Sequence, residues 1–216
     1  MINAEIPPLA VSIAQALLTA VKHKDPFTFE HCCRVGRAAR KLGEALSLSE
    51  FEQTVLEYTG LFHDIGKIGI SDSILLKPGR LDNDEIIIMK NHAELSVQML
   101  EPFKDIPFFR FLIPGVRFHH EKFDGSGYPH NVAGENIPLT ARIVSVVDTV
   151  DAMMNTRPYR KALSFDTVVK ELNDFSGTQF DKNIVSEYLQ AVKHWSAIND
   201  PAPNEKVIAQ IFKKAA

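Results

Sequence analysis

Apolar positions return at helical spacing along nearly the whole chain. After Pro7-Pro8, Leu9, Ile13, Leu17 and Val21 recur every four residues, which predicts an amphipathic helix. Asp25-Pro26 breaks it. Val35, Ala38, Ala39, Leu42 and Leu46 mark a second stripe over about 28–46. Ser49 followed by Glu52 has the form of a capping box and opens a third helix that runs toward Asp64 and ends near Gly66. Residues 66–79 read as a loop, punctuated by Ser71-Asp72 and Pro78-Gly79. Asp82 caps a helical stretch through Ile86, Met89, Leu95 and Leu100. Pro102 and Pro107 bracket a loop, and a helix then runs toward His120, bent at Pro114-Gly115. A long glycine- and proline-bearing loop fills 121–138. Loops of that length inside compact domains are usually functional. Helices follow at about 137–154, 165–175 and 182–194, with a short tail helix near 207–212. Strands are minor or absent, so the fold class is all-α.

Composition fits this picture. The chain has 216 residues, 45% apolar and 24% charged, as in an ordinary globular domain. No apolar run reaches the roughly 18 residues a membrane span needs. Nor does a basic segment precede the first apolar stretch, as a secretory signal would require. The net charge of -3 gives no bulk attraction for a nucleic-acid polymer, though a small anion in a local basic site stays open. The only cysteines, Cys32 and Cys33, are adjacent. They read as small buried hydrophobes with free thiols, which suits a reducing cytoplasm.

Chemistry concentrates in five of the eight histidines, His31, His63, His92, His119 and His120, and in two acids, Asp64 and Asp148. Asp148 closes the apolar run Ile143-Val144-Ser145-Val146-Val147. A carboxylate there is costly unless it is paired or binds a cation. Taken singly, a core histidine is usually a satisfied hydrogen bond and a core aspartate a salt bridge. The positions gain meaning as a set. His23, His130 and His194 match no such position and read as surface residues.

His63-Asp64-Ile65-Gly66-Lys67 resembles the His-Asp pair of HD-domain phosphohydrolases. His119-His120-Glu121, then Asp124-Gly125-Ser126-Gly127-Tyr128-Pro129, is similar to the motif of the HD-GYP subgroup. Asp148-Thr149-Val150-Asp151-Ala152-Met153 and Arg157-Pro158-Tyr159-Arg160 follow in family order. Asp25 to His31 resembles the family's opening and Gly177 to Asp181 its close. The resemblance covers about 21–189. It implies an HD-GYP domain at 21–195, with an N-terminal helix extension at 1–20 and a tail at 196–216.

That resemblance implies an all-helical bundle and a metal-dependent phosphodiesterase. The expected substrate is the bacterial second messenger cyclic di-GMP, cleaved to linear pGpG, with onward cleavage to GMP left open. It also implies two divalent metal ions. His31, His63, Asp64 and Asp148 would hold one, and His92, His119 and His120 the other, with Asp64 bridging. Imidazole and carboxylate donors suit iron, manganese or zinc, and family precedent favours iron or manganese. A third ion in some members uses a carboxylate where this chain has Phe27. Glu30 points elsewhere on the helix, so two ions are expected. Asp64 and Lys67 are the expected catalytic residues. Lys67, Tyr128, Pro129, Arg157 and Arg160 are the expected substrate contacts. Lys161 reads as a solvated neighbour and Asp124 as a support for a ligand histidine. A diguanylate cyclase or sensor protein is the partner the resemblance suggests. The first helix's stripe suits packing on the domain, or a homodimer. Rival readings are another cyclic dinucleotide, such as cyclic GMP-AMP, and a silent binding module.

Overall fold

The computed structural model describes residues 8–155 and 161–195. Arg157, Arg160 and the expected tail helix at 207–212 lie outside the described residues. Among the described residues the fold is all-helical. Its only β feature is an isolated bridge between Ser176 and Phe180.

Helix α1 spans Pro8–Lys24. Its buried face is Ala10, Ile13, Ala14, Leu18 and Val21, and Leu9 is 53% exposed. The expected stripe is therefore rotated. Small alanines let α1 approach its neighbours closely, while hydrophobicity alone singles out the larger leucines. That face packs into the chain's own core, with Phe29, Phe62 and Phe109.

The Asp25-Pro26 pair both ends α1 and starts α2, Pro26–Ala45. Asp25 accepts from the backbone N–H of Phe27 and of Thr28, and Pro26 sits in the first turn, where no donor is needed. The helix thus begins two residues before the apolar stripe suggests. Helix α3, Glu50–Phe62, opens on the expected Ser49–Glu52 capping box. It ends at Phe62, four residues before Gly66, and a 3-10 turn covers Ile65–Gly69.

The presumed loop at 66–79 contains that turn and a short helix α4, Asp72–Leu75. The stretch from Asp82 to Leu100 is two helices, α5 (Asn83–Lys90) and α6 (His92–Leu100), hinged at Asn91. Asp82 and Glu85 form a capping box on α5. Helical periodicity continues through a bend, so the break was not legible. Helix α7 (Pro107–Phe118) carries Pro114 inside it, α8 is Leu139–Met154, α9 is Phe165–Asp174 and α10 is Lys182–Ala191.

Two apolar clusters share α2 and α3. One joins them to α1, α6 and α7, and the other to α8, α9 and α10. The candidate site lies where the elements of both clusters meet.

Candidate metal centre

The turn after α3 is shaped by close packing on α6. The Ser96 hydroxyl accepts from Gly66 N–H at 2.8 Å and donates to the His63 carbonyl at 3.0 Å. A Cβ on Gly66 would lie 2.0 Å from His92 O and 2.4 Å from Ser96 N. Both are backbone atoms that cannot swing aside, so only glycine fits the approach. This contact locks the His63-Asp64 turn to the start of α6, which carries His92.

Five elements bring the seven candidate residues together. His31 comes from α2, His63 and Asp64 follow α3, and His92 opens α6. His119 and His120 follow α7, and Asp148 projects from α8. His31, His63, Asp64, His92 and His119 are all buried. Asp64 faces two ways. Its Oδ2 lies 3.4 Å from His63 Nε2 and 3.6 Å from His31 Nε2, while its Oδ1 lies 3.2 Å from His92 Nε2. Asp148 Oδ1 is 3.0 Å from His31 Nε2 and 3.8 Å from His63 Nε2. His92 Nε2 is 3.4 Å from His119 Nε2 and 3.0 Å from His120 Nε2.

Hydrogen bonding decides what these nitrogens can do. The Nδ1 atoms of His63, His92 and His119 each lie 2.7 Å from a carbonyl three residues back, those of Gly60, Met89 and Val116. A carbonyl only accepts, so each Nδ1 carries the proton and donates. His92 and His119, whose pKa values are lowered, then turn a bare lone pair at Nε2 toward their neighbours. Burial, then the Lys67 and His63 charges, pulls the His92 pKa down against the opposing pull of Asp64. Burial and the adjacent His63 and His92 rings pull His119 down to about 3. Burial and the His119 and His92 rings also put His120 well below the ordinary value. Near neutral pH, the Nε2 acceptors of His92, His119 and His120 therefore converge with no proton between them, an arrangement that a cation satisfies. The His92–His119–His120 and His31–His63–Asp64 sets each bring their donor atoms within 4.8 Å of one another. The residues fit metal ions.

The carboxylates stay charged. Burial raises the Asp64 pKa, but Lys67 and His63 more than offset it and hold the group well below the usual range. Asp148 is likewise held down against burial by His31, which donates to it.

The HD domain family model matches residues 15–184, with the His63-Asp64 pair at the centre of the site just described. The chain belongs to the HD domain family. It is 39% identical over 177 residues to the cyclic di-GMP phosphodiesterase response regulator RpfG of Xanthomonas campestris, covering 81% of this chain and 46% of that protein. It is 36% identical over 178 residues to 3'3'-cGAMP-specific phosphodiesterase 3 of Vibrio cholerae, covering 81% of this chain and 38% of that one. This HD domain chain thus spans less than half the length of these curated relatives. The fold is that of a solved cyclic GMP-AMP specific phosphodiesterase of V. cholerae (V-cGAP3), with a TM-score of 0.66 at 22% identity over 93% of this chain and 54% of that one.

Around the HD site, Lys67 leaves the 3-10 turn and places Nζ 2.5 Å from Asp64 Oδ2. The Tyr128 ring stacks on His120 at 4.7 Å between centroids, and Lys90 Nζ sits 5.0 Å above the same ring. Burial, with the charges of Asp64 and Asp148, pushes the tyrosine phenol up. Gly127 lets this loop press on the histidine pair, since a Cβ there would meet Lys122 N at 2.3 Å and Glu121 Cα at 2.5 Å. Pro129 lies in the same turn. His130 N–H after it donates to the buried Glu121 at 2.7 Å.

Asp124 does not support a ligand histidine. It is exposed and accepts from Ser126 N–H, because the loop turns its side chain away from the centre. The supporting carboxylate is Asp151, 2.7 Å from His31 Nδ1. Asp151, Arg34 and Ser96 escaped the sequence reading. The i, i+3 spacing of Asp148 and Asp151 on one helix is the signal that would have found Asp151. Glu30 lies 3.9 Å from Arg34, and the metal-competent groups found among the described residues do not include it. His23, His130 and His194 are exposed, as expected. Among the described residues, no helix is long and apolar enough to cross a membrane.

Proposed function

We infer that this HD domain is a metal-dependent phosphodiesterase that hydrolyses a cyclic dinucleotide, cyclic di-GMP first, to its linear form pGpG, with onward cleavage to GMP left open. The observation that carries the reading is the convergence of the His63 and His92 Nε2 atoms on the two oxygens of Asp64. His31, His63, Asp64 and Asp148 are assigned to one ion and His92, His119 and His120 to the second, with Asp64 shared. Iron or manganese is the assignment for both. Bound there, such ions supply Lewis acidity toward a phosphoryl oxygen and lower the pKa of water.

The chain's own residues do the rest. Asp64 holds the two halves at a fixed separation through its two oxygens. Lys67 offers positive charge beside Asp64, where charge develops on the phosphoryl group. Tyr128, stacked on His120, and Pro129 form a wall against which the nucleotide is oriented. Arg157 and Arg160 are assigned to phosphate or guanine, which planar guanidinium groups recognise well. A cytoplasmic setting and a diguanylate cyclase or sensor partner complete the reading.

A second reading takes cyclic GMP-AMP as substrate, because relatives named for either messenger resemble this chain almost equally. The test is anaerobic purification with metal analysis, then product chromatography against a panel of cyclic dinucleotides. Preferential linearisation of cyclic di-GMP is expected. Faster turnover of cyclic GMP-AMP selects the second reading. A metal-loaded chain that binds but cleaves nothing is a docking module instead.

A further inference from the structure

Three of the site's rings are steadied by neutral groups. His63, His92 and His119 each donate Nδ1–H to a backbone carbonyl of their own turn. His31 differs, because its Nδ1 meets the Asp151 carboxylate at 2.7 Å. Asp151 is buried and is itself held on both oxygens. Arg34 donates from Nε to Oδ1 at 2.7 Å and from Nη2 to Oδ2 at 3.0 Å, and Asn155 donates to Oδ1 at 3.0 Å.

Helix geometry produces this arrangement from two i, i+3 pairs. His31 and Arg34 lie on adjoining turns of α2, and Asp148 and Asp151 lie on adjoining turns of α8. The His31 ring is therefore set between two carboxylates, with Nε2 toward Asp148 and Nδ1 on Asp151. A carboxylate that accepts the outer N–H of an imidazole makes the inner nitrogen a stronger donor than a neutral carbonyl does. Arg34 fixes the carboxylate's orientation and shares its charge.

We propose that Asp151, held by Arg34, is a positioning residue that makes the His31 half of the centre the tighter of two metal sites. The inference rests on the metal-centre reading above. Asp64 and Asp148 already bring charge to that half, so the share of Asp151 is read by changing it alone.

The experiment is calorimetric titration of metal-free full-chain protein with Mn²⁺. The unaltered chain should bind in two unequal steps. His120→Ala should delete the weaker one, which assigns the steps to the two halves. Asp151→Asn keeps the side chain's shape and removes its charge. It should weaken the tighter step by about 10- to 100-fold and leave the other in place. Equal affinities in Asp151→Asn and the parent overturn the proposal. So does an equal weakening of both steps, which marks a general structural effect.

Should Asp151→Asn fail to fold, Arg34→Gln carries the test. It removes the paired donors that orient Asp151, so the tighter step should weaken while the other holds, and an unchanged tighter step refutes the idea. A parent chain that binds no Mn²⁺ rejects the metal-centre reading itself, and this inference with it.

Discussion

The two halves of the site use the same ring in opposite electrostatic settings. In the His31 half, burial pulls the imidazole's pKa down, but hydrogen bonds to Asp148 and Asp151 outweigh it and raise His31 to about 9. In the His119 half, burial acts together with neighbouring rings, and the pKa falls to about 3. Helix α8 supplies carboxylates to one side, and the end of α7 supplies only a second ring to the other. Residue type therefore does not decide a histidine's charge here. The element packed against it does. Asp64 is the one group common to both halves.

Breaking that shared group should have the largest effect. Asp64→Ala removes the carboxylate that faces both sets of nitrogens, so metal content should fall from two ions to none and hydrolysis to background. Asp64→Asn should be nearly as severe, because a neutral amide bridges poorly. Metal analysis that still finds two ions per chain in either variant would dissolve the connection between the halves.

Next comes the cation beside Asp64. Lys67→Met keeps most of the stem and removes the charge. It should lower kcat about a hundredfold, the cost of losing one stabilising donor in an anionic transition state, with little change in KM. Metal content should remain at two. Normal turnover with only a lowered melting temperature would reduce Lys67 to a cation at the end of the turn.

The opposed titrations can be separated in the metal-free protein. His31 is raised from 6.5 to about 9, so its contribution to stability is full below pH 6.5 and is lost as pH rises toward 9. His119 is lowered from 6.5 to about 3. Between those values the unfolded chain binds the extra proton, so stability falls as pH drops from 6.5 toward 3. Melting temperature against pH should show both limbs. His31→Gln should flatten the alkaline limb alone, and His119→Gln should soften the acid limb alone. A shared change in both limbs would mean that the halves titrate as one unit.

The smallest effect lies far from the contrast and calibrates it. Ser49→Ala removes the cap of α3, the helix that leads into His63 and Asp64. It should cost about 1 kcal/mol, or roughly 2–4 °C in melting temperature for a chain of this size. Metal content and kcat should not change. A loss of metal in this variant would show that the halves depend on the whole length of α3.

Much of the site was legible because its residues come as adjacent pairs inside motifs. His63-Asp64 and His119-His120 need only a helix end to present both side chains to one place. The caps at Ser49 and Asp82 were legible for a related reason, since their bonding partners lie three residues away. The hinge at Asn91 was not legible, because two successive helices have the same apolar period as one. Leu9 misled because hydrophobicity does not report which side of a helix is covered. Asp124 and Asp151 were both plausible supports, and only packing shows that one faces solvent while the other meets His31.

Sequence by itself determined the helical architecture and most of the helix starts, and its resemblance to a known family pointed to the seven candidate ligand positions. The helices rest on local forces: apolar spacing and caps within one turn. Tertiary structure alone decided the opposite titrations of His31 and His119, which carboxylate stands behind His31, and why Gly66 admits no side chain. His31 and Asp151 lie 120 residues apart in the chain, yet 2.7 Å separates their bonded atoms. Electrostatic influence depends on distance and burial in space, and those exist only once α2 and α8 have packed together.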